Sequence, residues 1–553
     1  MLKIISSLEK CFLDESFASK PALKKASLLK NEVYRFGACY TFDRYLPWAN
    51  RQSAKLTIDS QLKKYIKVWK VDHVPVKMPA GLSQHDADFL RTTPGLYPDL
   101  LTPLADNKRV IMFSNLDSLY FEFAPNGEVA PGEYTVTLRL NEETTDEILG
   151  EASITLTVID AELPEQELKF TQWFHVDCLH THYDTELYDE RHWKIIENFV
   201  KTAVEHGINM LLTPIFTTAL DTHVGGERPT TQLIDVTVNN GEYSFGFEKL
   251  NRWVDMCDRL GIKYFEIAHF FTQWGAGHAP KVMATVDGEY KRIFGWETDA
   301  TGDDYVKFLN AFIPAFLEFM KSKNGADKRC WFHISDEPQL DHLEQYQKSR
   351  AVVADLLKGY PIMDALSNYE FYEQGIIEIP VPATSHIEPF IENNVPDLWC
   401  YYCIGQWQEV SNRFLAMPSA RTRIIGTQLY KYNIAGFLHW GYNFYYNQFS
   451  HGYVNPFTIT DGEYFAAAGD EFSVYPGIGG VALPSLRLKL FHDALQDLSA
   501  LKLCESLYDR DFVLKLMEED QMPITFKEYP RDINYLPTLR EKVNAAIAAK
   551  ICK

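Results

Sequence analysis

Apolar and polar positions alternate over short runs in the first third of the chain, and turn-forming residues separate these runs. A period of two with many β-branched residues is typical of half-buried strands. A turn at Pro131 and Gly132 precedes a run that we expect to pair with the next one as a hairpin. The predicted strands cover residues 55–59, 65–71, 110–113, 134–140 and 152–159. The pattern predicts an N-terminal β-sandwich over residues 1–166, which ends in an acidic, proline-containing stretch.

From residue 168 onward, apolar strand-like runs alternate with amphipathic helical segments such as 189–206, 247–260, 303–323 and 341–357. The predicted strands are 168–177, 209–216, 263–270, 330–337, 362–369, 379–386, 397–402 and 436–444. Eight strands with helical connections predict a (β/α)8 TIM barrel over residues 167–484. We expect it to be distorted, because the connection between the fifth and sixth strands is too short for a full helix.

Apolar residues at helical spacing predict a C-terminal helical segment over residues 485–553. The predicted fold class is therefore multidomain α+β, with a β-sandwich, a distorted barrel and C-terminal helices. Three long segments, 217–246, 271–302 and 445–484, leave the C-terminal ends of barrel strands, where barrel enzymes build their sites. Among the polar and aromatic residues that they carry are Gln273 and Trp274.

The 553 residues include 75 acidic and 54 basic side chains, which gives a net charge of −21. Such a chain repels phosphate backbones and anionic bilayers, so nucleic acid is excluded as a partner. The sequence contains no run of about 18 apolar residues, so we expect no helix that inserts into a membrane. The N-terminus lacks the features of a secretory signal, and nine irregularly spaced cysteines predict free thiols. We expect a cytoplasmic protein, compatible with a homo-oligomer.

The strongest chemical signal is the adjacent pair Asp336 and Glu337 at the end of the fourth predicted barrel strand. Neighbouring carboxylates repel and are costly to desolvate, so folding alone does not explain them. A solvated acidic turn at a helix N-terminus is the structural alternative. Ideal pleating points Glu337 into the barrel mouth and Asp336 away from it. If both side chains serve one substrate, the backbone must leave strand geometry there.

Two further clusters lie at predicted strand ends. Trp173, His175 and Asp177 share the inward face of the first strand, where they could bind sugar hydroxyls, bind a metal or form a buried polar layer. Trp399 and Tyr401 face the lumen from the seventh strand. Rows of aromatic residues usually belong to a hydrophobic core. This row, however, ends at the same opening of the barrel as the carboxylates, and aromatic side chains form the surfaces on which sugars bind.

The sequence resembles glycoside hydrolase family 123 and the related domain of unknown function 4091. The resemblance covers roughly residues 30–500, and the motif F-H-I-S-D-E-P at 332–338 is its most specific part. Further matching segments are 212–216, 226–230, 271–275 and 484–497. The resemblance implies an N-terminal β-sandwich, a catalytic barrel, no cofactor, and exo-acting β-N-acetylgalactosaminidase activity on a carbohydrate substrate.

The family mechanism is retaining and substrate-assisted, so the 2-acetamido oxygen of the substrate is the nucleophile. By this resemblance, Asp336 orients the acetamide N–H, and Glu337 protonates the leaving oxygen and later deprotonates water. The pKa of Glu337 is expected to be raised, as a general acid requires. A tyrosine binds the acetamide oxygen in the family; Tyr401 is the best positional match, with Tyr369 and Tyr402 as rivals.

The remaining substrate-binding residues are predicted from their positions at the ends of barrel strands. Trp440 is expected to form a wall for the sugar, and Asn443 is expected to bind hydroxyls together with His175 and Asp177. The full substrate-binding set is His175, Asp177, Gln273, Trp274, Tyr369, Trp399, Trp440 and Asn443.

Three alternatives stay open at this point. One is a glycosidase of the same fold that acts on a sugar without a 2-acetamido group and uses a conventional nucleophile such as Asp177. Another is a metal-dependent hydrolase that uses His175, Asp177, His333 and His439. The third is a carbohydrate-binding protein without catalysis.

Overall fold

The computed structural model describes residues 1–42, 53–81, 85–105, 108–111, 115–519 and 522–551. The last two residues of the predicted strand 110–113 and Cys552 lie outside these ranges. The N-terminal strands are β1 Leu2–Ser6, β2 Lys25–Leu29, β3 Tyr34–Tyr40, β4 Ser53–Asp59, β5 Ile66–Val76, β6 Gly95–Pro103, β7 Arg109–Ile111, β8 Asp117–Phe123, β9 Gly132–Glu142 and β10 Ile148–Ile159.

These strands form two five-stranded sheets, in the orders β1-β3-β8-β5-β6 and β2-β10-β9-β4-β7. Alternate apolar residues of both sheets meet in one hydrophobic cluster, in which Phe36 stacks on Phe121 with ring centroids 5.0 Å apart. Strands β9 and β10 pair antiparallel, as the sequence predicts. The β-rich character of the N-terminal region is therefore confirmed.

The remaining strands are β11 Lys169–Gln172, β12 Met210–Thr213, β13 Asp235–Asn239, β14 Glu242–Gly246, β15 Tyr264–Ile267, β16 Val282–Val286, β17 Glu289–Phe294, β18 Cys330–Phe332, β19 Met363–Ala365, β20 Ile379–Val381, β21 Trp399–Tyr401, β22 Gly436–His439, β23 Val474–Gly477 and β24 Val481–Pro484. The helices are α1 Val176–Tyr183, α2 Glu190–Val204, α3 Glu248–Leu260, α4 Asp303–Ser322, α5 Leu343–Ala354, α6 Glu370–Glu373, α7 Glu388–Glu392, α8 Ser419–Arg423, α9 Ile425–Lys431, α10 Leu486–Leu507, α11 Arg510–Glu518 and α12 Tyr535–Ile551.

A curled parallel sheet with the order β18-β15-β12-β11-β22-β21 forms the centre of the molecule. Strands β19 and β20 pair only with each other as a ladder, and single bridges link Phe332 to Ile362 and Ala383 to Tyr401. Each predicted barrel strand is present but shorter than expected. Because β19 and β20 are too short to form ladders with their neighbours, a complete (β/α)8 barrel is not confirmed.

Side-chain alternation in the parallel strands follows the prediction. Trp399, Tyr401 and Leu438 belong to the cluster that the curled sheet encloses, while Cys400 and Phe437 pack with the helices. The connection between β19 and β20 holds only the short helix α6, as its length predicts. Two of the long loops add a separate sheet in the order β14-β13-β16-β17.

The C-terminal region is helical, and α10 packs against the N-terminal sheets through buried charges. Arg487 donates two hydrogen bonds to Asp99 of β6, and Arg35 of β3 binds both Glu122 and Asp493. Among the residues described, no helix is long and apolar enough to pass through a bilayer.

Candidate active site

A cavity of about 240 Å³ opens at the C-terminal edge of the parallel sheet. It is lined mainly by apolar and aromatic side chains, with few polar groups among them. Seven of the predicted site residues line it: His175, Gln273, Trp274, Asp336, Glu337, Tyr401 and Trp440. Asp177, Tyr369, Trp399 and Asn443 do not belong to its lining.

Asp336 and Glu337 both reach this cavity because the backbone leaves strand geometry before them. Strand β18 ends at Phe332, four residues earlier, and Glu337 has a left-handed φ of 44°. The Trp274 N–H donates to the Asp336 carbonyl at 2.8 Å, and the Glu337 N–H donates to the Ala365 carbonyl at 3.0 Å. These contacts hold a conformation that a glutamate rarely adopts, and they turn both carboxyl groups to one side.

The neighbouring carboxyl group affects Asp336. Burial and the neighbouring Glu337 raise the pKa of Asp336 well above its usual range, so Asp336 holds a proton where an ordinary aspartate is ionised. Tyr401 donates its hydroxyl hydrogen to Glu337 Oε1 at 2.6 Å. Burial raises the pKa of Tyr401 well above its ordinary value, so this hydroxyl stays a donor.

A buried charged layer underlies the pair. His333 lies between two carboxylates, with Nε2 2.8 Å from Glu266 and Nδ1 3.1 Å from Asp364. Glu266 also accepts from Trp173 Nε1, and Asp364 accepts from the backbone N–H of Ile334. Burial alone lowers the pKa of His333, but the bonds to Asp364 and Glu266 raise it to about 9. The imidazolium therefore fixes the chain just before the carboxyl pair.

This arrangement predicts a stability loss in mild alkali. The pKa of His333 is about 9 in the fold and 6.5 in an ordinary histidine, so its stabilisation is complete below pH 6.5 and is lost as pH rises through 9. That difference corresponds to roughly 3 kcal/mol at most. We expect denaturant unfolding to show that the stability gap between wild type and His333→Asn narrows from pH 6.5 to 9.5. A gap independent of pH would contradict a charged His333.

The first predicted strand ends earlier than expected, which corrects the placement of Asp177. β11 ends at Gln172, and Asp177 lies in the first turn of α1. Both of its oxygens accept from Arg228, from Nε at 2.8 Å and from Nη2 at 2.9 Å. The Asp177 carboxylate is bound in this ion pair and does not line the cavity. Asp177 is therefore unsuited to serve as a nucleophile.

Arg228 is a residue that the sequence reasoning did not single out, although it lies in the segment 226–230 that carried the family resemblance. Its Nη2 also donates to His175 Nδ1 at 3.1 Å, and His175 Nε2 donates to the Trp440 carbonyl at 2.9 Å. Burial and the Arg228 charge lower the pKa of His175 to about 3, so the ring is neutral. Arg228 thus fixes the orientation of a cavity-lining histidine.

Breaking the Arg228–Asp177 pair is expected to be costly, because both side chains are buried and one charge would stay unpaired. We expect Arg228→Met to lower the free energy of unfolding by about 3–5 kcal/mol. The double variant Arg228→Met/Asp177→Asn should lose less than the sum of the single variants. Additive losses in chemical denaturation would show that the two side chains are not coupled.

Three other predicted residues have structural partners instead of cavity contacts. Asn443 accepts from the His175 N–H at 2.9 Å and donates to the His175 carbonyl at 3.0 Å, which uses both ends of its amide. Trp399 lies in the cluster inside the curled sheet, and Tyr369 packs against Phe390. The rival Tyr402 is buried against Phe437. Trp399 faces inward as its strand pattern predicts, whereas the positions of Tyr369 and Asn443 follow from packing that this pattern does not encode.

Gln273 and Trp440 line the cavity but are held by protein groups. Gln273 accepts from the Asp221 N–H at 2.7 Å and donates to the Thr222 carbonyl at 2.8 Å. Trp440 Nε1 donates to Asp470 at 2.8 Å. Asp221 also lines the cavity, and burial raises its pKa to about 6. Phe444, at the end of the predicted strand 436–444, also lines the cavity, and Phe449 and Phe465 are aromatic walls that the sequence did not reveal.

The four residues of the metal alternative do not converge. His175 binds Arg228, and His439 lies beside Asp470. In the described ranges, one group of donors is close enough to hold an ion, namely His269, His333 and Asp364. His333 already uses both ring nitrogens for carboxylates, so this group does not fit a metal without losing the buried ion pairs.

A pair of carboxyl groups in a cavity with aromatic walls is typical of proteins that cleave glycosidic bonds. A comparison with protein-family models supports this class. The model for the catalytic domain of glycoside hydrolase 123 matches residues 173–504, which is more than half of the chain. The chain belongs to glycoside hydrolase family 123, as the motif at 332–338 indicates.

Among solved structures, a family 123 glycoside hydrolase from Clostridium perfringens, studied for glycolipid glycan hydrolysis, is similar in fold. The TM-score is 0.74 at 14% identity, and the match covers 100% of this chain and 99% of that one. A β-glucuronidase from Ruminococcus gnavus matches at a TM-score of 0.31 and 9% identity over 81% of this chain and 69% of that one, which is too weak to support an argument. No curated protein matches the chain.

Proposed function

We propose that the protein is a retaining exo-acting hydrolase that removes terminal β-linked N-acetylgalactosamine by substrate-assisted catalysis. The observation that carries this proposal is that Asp336 and Glu337, adjacent in sequence, line one cavity together with Tyr401. Two carboxyl groups side by side are poorly placed to act as nucleophile and acid on opposite faces of a sugar. They suit a reaction in which the substrate supplies its own nucleophile.

In the first step, the acetamide oxygen attacks C1 and the bond from C1 to the leaving oxygen breaks. Glu337 gives its proton to that oxygen, while the Asp336 carboxylate accepts the N–H of the oxazolinium that forms. The positive charge of the ring is then paired with a fixed carboxylate in a cavity of low polarity, where such pairing is most effective. The single hydroxyl hydrogen of Tyr401, which Glu337 accepts in this structure, becomes free to bind the acetamide oxygen once Glu337 carries the proton.

Glu337 must carry a proton before it can protonate the leaving oxygen. Because the raised pKa of Asp336 places a proton on that residue, we infer that substrate binding moves it. When the acetamide N–H donates to Asp336, it stabilises the ionised form, and the shared proton passes to Glu337. In the second step, Glu337 removes a proton from water, the water oxygen attacks C1, and the oxazoline opens with net retention.

The cavity also supports an exo mode of action. Its volume of about 240 Å³ is below the ~300–1,000 Å³ of pockets for drug-sized molecules, which suits a single terminal sugar. The Clostridium perfringens relative acts on glycolipid glycans by its description. We propose glycans of this class, with a terminal N-acetyl hexosamine, as substrates of this chain.

A panel of aryl glycosides tests the proposal. We expect hydrolysis of the β-N-acetylgalactosaminide, slower hydrolysis of the β-N-acetylglucosaminide, and no measurable hydrolysis of the β-galactoside and β-glucoside. Equal turnover of β-galactoside and β-N-acetylgalactosaminide would exclude acetamide participation. Ligand-induced thermal stabilisation without turnover on any glycoside would instead favour a carbohydrate-binding protein.

A further inference from the structure

Another cavity, of about 370 Å³, lies between the N-terminal sheets and helices α2 and α10, and we call it the junction cavity. Strand β5 contributes Lys67 and Trp69 to its lining, α10 contributes Lys489, and His206 follows the end of α2. His206 precedes strand β12, whereas the carboxyl pair follows the end of strand β18, so the two cavities lie at opposite edges of the parallel sheet. No described residue lines both, and the junction cavity is therefore separate from the candidate active site.

Two buried polar atoms in this lining, Trp69 Nε1 and His206 Nε2, have no hydrogen-bond partner among the described residues. His206 Nδ1 lies 2.7 Å from the Thr202 carbonyl, which can only accept, so Nδ1 carries the ring hydrogen. Burial and the nearby charge of Lys489 lower the pKa of His206 well below its ordinary value, so the ring is neutral and Nε2 is an acceptor. Unpartnered buried polar atoms are uncommon in folded proteins. This pair matches a ligand that accepts from the indole and donates to the imidazole.

The charge of the lining favours an anion. Four cationic side chains line the junction cavity against two carboxylates: Arg35, Lys64, Lys67 and Lys489 against Glu122 and Glu205. Lys489 is paired with Glu122 at 2.7 Å, whereas Lys67 is exposed and forms an ion pair with no described carboxylate. In a chain with a net charge of −21, a local excess of cations is unusual, and it concentrates anions at the cavity.

We propose that the junction cavity is a non-catalytic binding site for a small anion that carries hydroxyl groups, such as a sugar acid or a sugar phosphate. The anionic group lies beside Lys67 and accepts from Trp69 Nε1, and a hydroxyl group donates to His206 Nε2. The volume of about 370 Å³ lies within the ~300–1,000 Å³ of ligand pockets. Because the lining comes from β5, α2 and α10, the bound anion contacts both parts of the molecule and stabilises their packing.

Calorimetric titration of the whole chain with glucose, glucuronate, glucose 6-phosphate and inorganic phosphate tests this inference. We expect one of the two sugar anions to bind about tenfold more tightly than both glucose and inorganic phosphate, because only the sugar anions combine a charge with hydroxyl groups. The tighter of the two identifies the anionic group as a carboxylate or a phosphate. The same compound should raise the midpoint of thermal unfolding.

Four variants locate the binding. Trp69→Phe keeps a ring but removes the indole donor, and we expect Kd for the sugar anion to rise about tenfold. Lys67→Gln removes one exposed charge, and Kd should rise about fivefold. Lys63→Gln removes an exposed lysine outside the lining and should leave Kd unchanged. Trp440→Phe makes the same indole-to-phenyl change in the catalytic cavity and should also leave Kd unchanged.

Failure of both sugar anions to bind at about 10 mM would overturn the inference, because the cavity would then hold only water. Equal affinity for glucose or for inorganic phosphate would also overturn it, as would values of Kd that change in neither Trp69→Phe nor Lys67→Gln. Loss of binding in Trp440→Phe would instead place the anion in the catalytic cavity. Lys67→Gln alters an exposed side chain, so it keeps the test decisive if Trp69→Phe does not fold. None of these measurements depends on glycoside cleavage.

Discussion

Replacement of Glu337 by Gln is expected to lower kcat/KM for glycosides with poor leaving groups by roughly 10³–10⁴-fold. The amide cannot give a proton to the leaving oxygen, although it keeps the size of the side chain and a contact with Tyr401 Oη. An activated aryl glycoside, such as a dinitrophenyl glycoside, leaves without protonation, so its cleavage should fall much less. The measurement is kcat/KM over a series of leaving groups of increasing pKa.

The slope of that series is the informative quantity. For wild type we expect a shallow dependence on leaving-group pKa, and for Glu337→Gln a steep one, because negative charge then develops on the oxygen. Asp341→Asn is the matched control, since Asp341 is four residues away and its side chain is 81% exposed. Equal slopes for wild type and Glu337→Gln would show that Glu337 is not the general acid.

Replacement of Asp336 by Asn is expected to slow good and poor leaving groups alike, by roughly 10²–10³-fold in kcat. Asparagine can still accept a hydrogen bond from the acetamide, but it carries no charge to pair with the oxazolinium. Because the acetamide attacks C1 in the same step in which any leaving group departs, activation of the leaving group should not rescue the lost charge pairing. The measurement is kcat for the same aryl series.

Asp336→Ala separates charge from orientation. It should lose more than Asp336→Asn, because the acetamide then has no acceptor. If both Asp336→Asn and Glu337→Gln retain rates near wild type, the assignment of the site to this pair is wrong. A large loss for Glu337→Gln with none for Asp336→Asn would indicate a conventional nucleophile elsewhere in the cavity.

Much of the central sheet could be predicted from the sequence, because buried parallel strands produce apolar runs between amphipathic helices. The predicted barrel strands are present, and the alternation of Trp399 and Tyr401 with Cys400 is correct. The predicted positions of the strand ends were less accurate. Residues 173–177 continue the alternating pattern, yet the chain turns there, because contacts with Asn443 and Arg228, both distant in sequence, hold it.

Prediction of the carboxyl pair from the sequence was limited in the same way. Sequence alone raises the problem that regular pleating would separate Asp336 from Glu337. Its solution, a left-handed residue at 337, depends on hydrogen bonds from Trp274 and to Ala365, which belong to neighbouring strand ends. Local patterns predict the types of residue at the strand ends, whereas the conformation that brings their side chains together depends on tertiary contacts.

The most direct test of acetamide participation is the hydrolysis of aryl β-N-acylgalactosaminides that carry zero, one, two or three fluorine atoms on the acyl methyl group. Each fluorine withdraws electrons from the carbonyl oxygen and weakens it as a nucleophile. If that oxygen attacks C1, log kcat/KM should fall steeply and steadily across the four substrates. Rates that do not change with fluorination would contradict the mechanism, because a nucleophile supplied by the protein would then attack the sugar.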